Sequence, residues 1–233
     1  SMPNGVTDTV TFNDHFVTTR QAALAGTFTI GGGSPDYATF TDAVTDLEAY
    51  GLCGPVVFNV RGGTYTENIE MGDITGVSAV NTITFQSETG MASSVNVNYS
   101  ATSATGDNYV LKFSNAKHTT FRNMTLNATG ASYGRVVDFS GSEYCTLEGM
   151  ILNGRPVTTT SSYFTTLYSN YGTLDHNTTI TGCEINNGSY GVYWYGSGSS
   201  SLERGTRFEN NTIQGFYYGN YFYYQDAPVI EYN

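Results

Sequence analysis

The sequence predicts an all-β fold: a right-handed parallel β-helix, or solenoid, with one capping α-helix near the N-terminus. The first observation behind this prediction is a repeat. Segment 109–130 aligns with segment 135–156 at an offset of 26 residues, which pairs Phe113 with Phe139. Self-similarity at a period in the twenties is typical of solenoids.

A second observation indicates where each coil turns. The quartet that begins at Phe121 recurs in later coils, and its third position holds only Asn or Gly: Asn123, Gly149, Gly182 and Asn210. These two residue types adopt positive φ more readily than the others. The pattern therefore predicts one left-handed turn residue in each coil, with steps of 26, 33 and 28 residues between the turns.

The third observation is a single helix signal ahead of the repeats. Ser34 is a good N-cap, Pro35 suits the first helical position, and Gly51 is a good C-terminal stop, so we expect a helix over about 35–50. An amphipathic helix in front of a solenoid would cover the open end of its core.

Domain organisation follows from these signals. Residues 1–25 have weak alternation and are interpreted as a lead-in or linker, and residues 26–233 form one β-helix domain. The last five residues have a strand-like pattern without a cap. We therefore expect the C-terminal end to be truncated and further domains to belong to the same longer chain.

Composition narrows the class of protein. The chain of 233 residues has 27 Gly and 19 Tyr, but only 12% of its residues are charged, which is typical of a secreted or cell-surface all-β protein. The net charge of −11 argues against nucleic acid as a partner, because phosphate binding needs clustered Lys and Arg. No apolar run approaches the roughly 20 residues that span a bilayer, so we expect no membrane insertion.

Residues 26–70 carry a recognisable order of elements: a helix, a buried strand and then the run Gly63-Thr64-Tyr65-Thr66-Glu67, interpreted as a turn. This order resembles the opening of pectin-lyase-like parallel β-helix proteins. The Thr- and Gly-rich composition is similar to that of large secreted or surface proteins of Bacteroidetes-type bacteria. The resemblance implies the fold but not one function, since the fold is used by lyases, hydrolases, esterases and non-catalytic adhesins.

Strand alternation predicts which side chains point outward. In the last two coils Trp194 and Phe222 point inward, and four tyrosines form an outward two-by-two patch: Tyr193, Tyr195, Tyr221 and Tyr223. The alignment also places Val110 and Val136 outward. It puts Lys112 and Asp138 in the same column as Tyr195 and Tyr223.

This patch is the candidate ligand-binding surface. Tyrosine offers an apolar ring face to sugar C–H groups and a hydroxyl for hydrogen bonds, so we expect a polysaccharide or surface glycan, and a neutral one suits an acidic chain. The predicted binding residues are Tyr190, Tyr193, Tyr195, Tyr221, Tyr223 and Asp138. Two alternatives stay open: the tyrosines stack along the solenoid only because they are good strand formers, or a flanking domain covers them.

No catalytic, metal or cofactor site is predicted. The Asp-Asp step and Gly-His-Gly that the resemblance to galacturonases would imply are missing, and Asp107, Asp138 and Asp175 do not share a column. Lys112 beside Asp138 is interpreted as a solvated ion pair. The three cysteines, an odd number, are expected to be buried free thiols. The longest coil owes its excess to segment 157–174, which we expect to be a surface loop that overhangs one face.

The leading hypothesis is a non-catalytic module of an extracellular protein that contacts carbohydrate or serves adhesion. The rival is a polysaccharide lyase or glycoside hydrolase whose site is completed by coils outside this sequence. A purely structural spacer is the third hypothesis, and it predicts that no ligand binds.

Overall fold

The chain folds as a parallel β-solenoid of about seven turns with a single helix near one end. This computed structural model describes residues 22–233, so most of the predicted linker lies outside the described residues. Successive coils stack so that each contributes strands to three parallel sheets, called A, B and C below.

The strands of each sheet come in chain order from one coil to the next. Sheet A contains Leu24–Ile30, Leu52–Val60, Ile83–Ser87, Thr119–Arg122, Thr146–Glu148, Thr179–Thr181, Arg207–Glu209 and Val229–Glu231. Sheet B contains Gly63–Thr66, Val95–Tyr99, Thr125–Ala128, Ile151–Asn153, Glu184–Asn186 and Thr212–Gln214. Sheet C contains Ile69–Met71, Leu111–Ser114, Val137–Ser140, Leu167–Ser169, Tyr190–Tyr195 and Gly219–Tyr223. A short pair joins Glu203–Arg204 to Gln225–Asp226.

The 26-residue repeat is confirmed by the strand register. Leu111 pairs with Val137 and Phe113 with Phe139, each across parallel strands of sheet C. The Phe113 and Phe139 rings stack inside the coil with centroids 4.7 Å apart. Identical side chains in successive coils thus build a continuous core, as expected for a stack of supersecondary units.

The predicted left-handed turn is also confirmed. Asn123, Gly149, Gly182 and Asn210 have φ values of 55°, 59°, 62° and 56°. The turn joins sheet A to sheet B in each coil. Tyr232 occupies the next equivalent position and has φ 56°. The equivalence follows from the strand register, since Glu209 and Glu231, which directly precede Asn210 and Tyr232, pair across sheet A.

The helix begins later than the sequence predicted, at Phe40, and ends at Tyr50. Its N-cap is Thr39 rather than Ser34. The Thr39 hydroxyl accepts the Asp42 N–H at 3.1 Å and the Asp42 carboxylate accepts the Thr39 N–H at 3.1 Å, which is a capping box. Ser34 lies in a left-handed conformation with φ 51° and starts no helix.

Glu67 completes the N-terminus of this helix from outside. Its carboxylate accepts the free N–H groups of Phe40 and Thr41 at 3.1 and 2.9 Å. The run 63–66, expected as a turn, is a strand of sheet B that delivers Glu67 to this position. Gly51 ends the helix with φ 65°, as predicted.

The longest coil, which contains segment 157–174, includes a strand that was not predicted from the sequence. Segment 157–174 was expected to be an overhanging loop, but it contains a short 3₁₀ helix, Ser162–Phe164, and the sheet C strand Leu167–Ser169. This strand pairs with Val137–Ser140 on one side and Tyr190–Tyr195 on the other. Three strand residues are too few for alternation to be visible.

The missing strand shifts the predicted columns by two residues. Trp194 lies in register with Ser169 and through it with Phe139, not with Val137. The small Ser169 side chain leaves space between these coils, and the Trp194 indole fills it, 5.0 Å from the Phe139 ring. A shift of two residues keeps Trp194 on its predicted inward face, because side chains alternate with a period of two.

The cysteines are all free, as predicted, but only two of them are buried. Cys145 and Cys183 lie in the core, whereas Cys53 is exposed. Burial raises the pKa of both core thiols to about 12, so they stay protonated and inert.

Candidate functional site

The outward face of sheet C carries a column of polar and aromatic side chains that runs along the solenoid. Each member lies in register with the next. In order from the helix end these residues are Glu70, Lys112, Asp138, Tyr168, Tyr193 and Tyr221. The column is therefore charged in the early coils and aromatic in the later ones.

A second outward column beside it contains Tyr195 and Tyr223, which pair across the same strands as Tyr193 and Tyr221. The predicted two-by-two group is thus assembled by the structure, although Tyr193 and Tyr221, rather than Tyr195 and Tyr223, continue the column of Asp138. We call the five residues Tyr168, Tyr193, Tyr195, Tyr221 and Tyr223 the tyrosine platform.

The platform rings pack against one another, most of them nearly parallel, although the Tyr195 and Tyr223 planes are 31° apart. The centroids of Tyr193 and Tyr221 are 5.0 Å apart with planes 14° apart, and those of Tyr195 and Tyr223 are 5.2 Å apart. Tyr168 extends the stack, 5.5 Å from Tyr193. Because rings at such distances cover part of each other's faces, the surface offers ring edges and hydroxyl groups as well as the uncovered parts of the faces.

The hydroxyl groups separate three platform residues, Tyr193, Tyr221 and Tyr223, from the structural tyrosines of the chain. A fourth platform residue, Tyr168, is buried and donates its hydroxyl hydrogen to Asn170 Oδ1 at 2.8 Å. Tyr65, Tyr99 and Tyr109 each donate a hydrogen bond to a backbone carbonyl or a carboxylate. By contrast, within residues 22–233 no hydrogen bond is formed by the hydroxyls of Tyr193 or Tyr221, nor by that of Tyr223, whose side chain is 44% exposed. These hydroxyls face solvent.

Other tyrosines border the platform. Tyr190, a predicted site residue, packs its ring against Tyr193 at 5.1 Å and against Tyr218 at 5.4 Å. Tyr171 packs edge-on against Tyr195, and it comes from segment 157–174, which was expected to overhang one face of the solenoid. The aromatic surface is thus wider than the sequence analysis predicted.

Asp138 differs from its prediction. The sequence suggested an outward carboxylate in a solvated pair with Lys112, but the side chain is nearly buried and accepts a hydrogen bond from Arg135 Nη1 at 2.8 Å. Burial raises the pKa of Asp138 to about 6, against the opposing effect of Arg135. Lys112 pairs with Glu70 instead.

Arg135 and Tyr168 are the site residues that sequence reasoning missed. The Arg135 guanidinium carbon lies 3.5 Å above the Tyr168 ring centroid, and its Nε donates to the Ser162 carbonyl at 3.0 Å. Neither residue could be found by alternation, since Arg135 precedes its strand and Tyr168 lies in the unrecognised one. Val110 and Val136, expected to point outward, are buried because they also precede their strands.

A cleft lies at the other end of the same face. It encloses about 320 Å³ between the helix and the first strands of sheet C, and Thr45, Glu48, Glu70 and Tyr109 line it. The platform, the charged residues and this cleft form one continuous surface.

Two further features concern metal-binding groups and membrane-spanning helices in the described part of the chain. Residues 22–233 contain no group of three or more His, Cys, Asp and Glu side chains that could hold a metal ion. Among the same residues, no helix is both long and apolar enough to cross a membrane.

Comparison with known proteins assigns no family. No family model matches the chain, and no curated protein matches it significantly. Any function must therefore be argued from the surface itself.

Proposed function

We propose that this solenoid is a non-catalytic module of an extracellular or cell-surface protein and that its tyrosine platform contacts carbohydrate. The single observation that carries the proposal concerns the hydroxyls of Tyr193, Tyr221 and Tyr223. They lie on stacked rings and form no hydrogen bond within residues 22–233. A sugar presents C–H groups beside hydroxyls, and this surface presents ring carbons beside hydroxyls.

The geometry of the solenoid supports a polymeric or repeating ligand. Neighbouring coils lie about 4.8 Å apart, and the exposed and partly exposed platform tyrosines repeat at that spacing over two coils, with the buried Tyr168 in the coil before them. A rigid scaffold that repeats one contact can add weak contacts into useful affinity without ordering flexible loops. The resemblance of residues 26–70 to pectin-lyase-like proteins is consistent with such a module in a longer secreted chain.

A glycan array and polysaccharide pull-down test this proposal. The informative variant replaces Tyr193, Tyr195, Tyr221 and Tyr223 with Ala. The matched control replaces Tyr50 and Tyr144 with Ala, since both are exposed tyrosines outside sheet C. We expect the platform variant to lose binding and the control to keep it. Equal binding by both variants, or none by the unmodified chain, would refute a carbohydrate platform.

The second candidate is a polysaccharide lyase or glycoside hydrolase. The observation that favours it is Asp138, whose raised pKa of about 6 and position beside the platform suit a group that exchanges protons near neutral pH. Release of ultraviolet-absorbing unsaturated product or of reducing ends from polysaccharides, abolished by Asp138→Asn, would establish this activity.

A further inference from the structure

Both cations next to the tyrosine platform are held by carboxylates. Lys112 Nζ donates to Glu70 Oε1 at 2.7 Å, and Arg135 Nη1 donates to Asp138 Oδ2 at 2.8 Å. Each pair places one positive charge against one negative charge. The charged half of the column therefore carries no net charge where it meets Tyr168.

Arg135 is occupied on three sides. Besides Asp138, it contacts the Ser162 carbonyl and the face of Tyr168. Only 12% of its side chain is exposed. A guanidinium that already satisfies a carboxylate, a carbonyl and a ring has little capacity left for a carboxylate on a ligand.

Lys112 is held in a similar way but lies closer to solvent. Its side chain is 25% exposed, and its ammonium also lies 5.4 Å from the Tyr109 ring centroid. Glu70 is bonded at both oxygens, since the Tyr109 hydroxyl donates to Oε2 at 2.8 Å. The Glu70 carboxylate is therefore fixed in the place where it neutralises Lys112.

We propose that Glu70 and Asp138 are specificity residues. Because they neutralise Lys112 and Arg135, the sheet C face binds uncharged polysaccharides and does not bind uronate-rich ones. This inference rests on the proposed carbohydrate function. An anionic sugar would need a free cation to offset the loss of its hydration, and Lys112 and Arg135, the cations beside the platform within residues 22–233, are both paired. The net charge of −11 adds long-range repulsion. Specific recognition commonly combines favourable contacts to one ligand with features that disfavour its competitor.

The test compares two probes, a neutral galactomannan and polygalacturonate, by affinity electrophoresis or calorimetry. Glu70→Gln leaves Lys112 unpaired and should create polygalacturonate binding at least about tenfold stronger than that of the unmodified chain, and salt should weaken the new binding. Glu184→Gln is the matched control, because this exposed residue of sheet B makes the same change of net charge away from the face.

A double variant tests the origin of the gain. Glu70→Gln combined with Lys112→Gln removes both charges and should return the face to refusing polygalacturonate while keeping its binding of galactomannan. Asp138→Asn should give a smaller gain than Glu70→Gln, because Arg135 remains tied to Tyr168 and Ser162. Thermal melts of each variant verify that it is folded.

The outcomes separate the two proposals. The specificity inference is wrong if the unmodified chain binds polygalacturonate with the same affinity as galactomannan. It is also wrong if Glu70→Gln increases the affinity for polygalacturonate no more than Glu184→Gln does. In both cases the carbohydrate function stands. If the unmodified chain binds neither neutral nor anionic polysaccharide, the carbohydrate function fails and the inference fails with it.

Discussion

Asp175 and Glu203 lie against each other in the solenoid interior. The Asp175 N–H donates to Glu203 Oε1 at 3.1 Å, and the Ser169 hydroxyl donates to Asp175 Oδ2 at 2.7 Å and lies 3.4 Å from Glu203 Oε1. Both carboxyl groups are fully buried. Neither forms a salt bridge within residues 22–233.

This pair predicts stability that depends on pH. Burial raises the pKa of Glu203 to about 7, despite a hydrogen bond from Gln225, and the neighbouring Asp175 acts in the same direction. An acid with a higher pKa in the folded chain binds more protons when folded. The free energy of unfolding should therefore fall as pH rises from about 4.3, the ordinary pKa of Glu, to about 7.

The variant Glu203→Gln should flatten this dependence. Over that pH window the unmodified chain should lose on the order of 2 kcal/mol more stability than the variant, measured by denaturant unfolding. Glu184→Gln, at an exposed position, is the control and should keep the original slope. A Glu203→Gln chain whose stability falls as steeply as that of the unmodified chain would show that the buried pair is not responsible.

The left-handed turn makes a sharp prediction at Gly182. A Cβ there would meet only the Gly149 nitrogen at 3.8 Å, an ordinary contact, so any cost of substitution comes from φ rather than from a clash. Gly182→Ala should lower the free energy of unfolding by about 1–2 kcal/mol. Gly182→Asn should be nearly neutral, because Asn123 and Asn210 adopt the same conformation. Equal losses for Ala and Asn would contradict this explanation.

The revised helix start can be tested with two alanine substitutions. Thr39→Ala removes the N-cap hydroxyl and should cost about 1 kcal/mol of stability in denaturant unfolding. Ser34→Ala should leave stability unchanged, since the Ser34 side chain caps no helix. If Ser34→Ala lowered stability more than Thr39→Ala, the helix would instead begin after Ser34, as the sequence predicted.

A pair of Tyr→Phe variants separates binding from stability on the platform. Tyr193→Phe keeps the ring stack and removes a hydroxyl that has no partner in the described chain, so glycan affinity should fall about three- to tenfold while the melting temperature stays unchanged. Tyr168→Phe removes a hydrogen bond to Asn170 of 2.8 Å and should instead lower stability by about 1 kcal/mol with little effect on binding. Unchanged affinity of Tyr193→Phe would exclude a role for its hydroxyl.

Much of the fold could be predicted because solenoid coils repeat local patterns. The 26-residue offset placed Phe113 on Phe139, and the Asn/Gly column identified the left-handed residue that joins sheet A to sheet B in four coils, at Asn123, Gly149, Gly182 and Asn210. Gly51 ended the helix as expected, since a left-handed C-terminal residue is a local requirement. The N-cap was misplaced because Ser34 and Thr39 are both good cap residues, and the capping box with Asp42 together with the contacts of Glu67 favours the second.

The candidate surface was predicted in outline and corrected in detail. Alternation alone placed Tyr193, Tyr195, Tyr221 and Tyr223 outward, and that assignment is confirmed as strand orientation by their pairing. Their role in binding stays a prediction. Tyr168, Arg135 and the buried state of Asp138 were missed, because each depends on a strand of three residues or on a side chain that arrives from outside a strand.

By itself the sequence determined the class of fold, the turn between sheets A and B in the coils from Asn123 to Asn210, and the outward orientation of Tyr193, Tyr195, Tyr221 and Tyr223. These follow from a period of two residues and from the φ preference of Asn and Gly. Only the tertiary structure decided the strand register between the later coils. No local rule limits the length of a loop between strands. The strand Leu167–Ser169 therefore joins sheet C without a recognisable signal in the sequence. That one strand places Tyr168 between Asp138 and Tyr193 and brings Ser169 beside the buried acids Asp175 and Glu203.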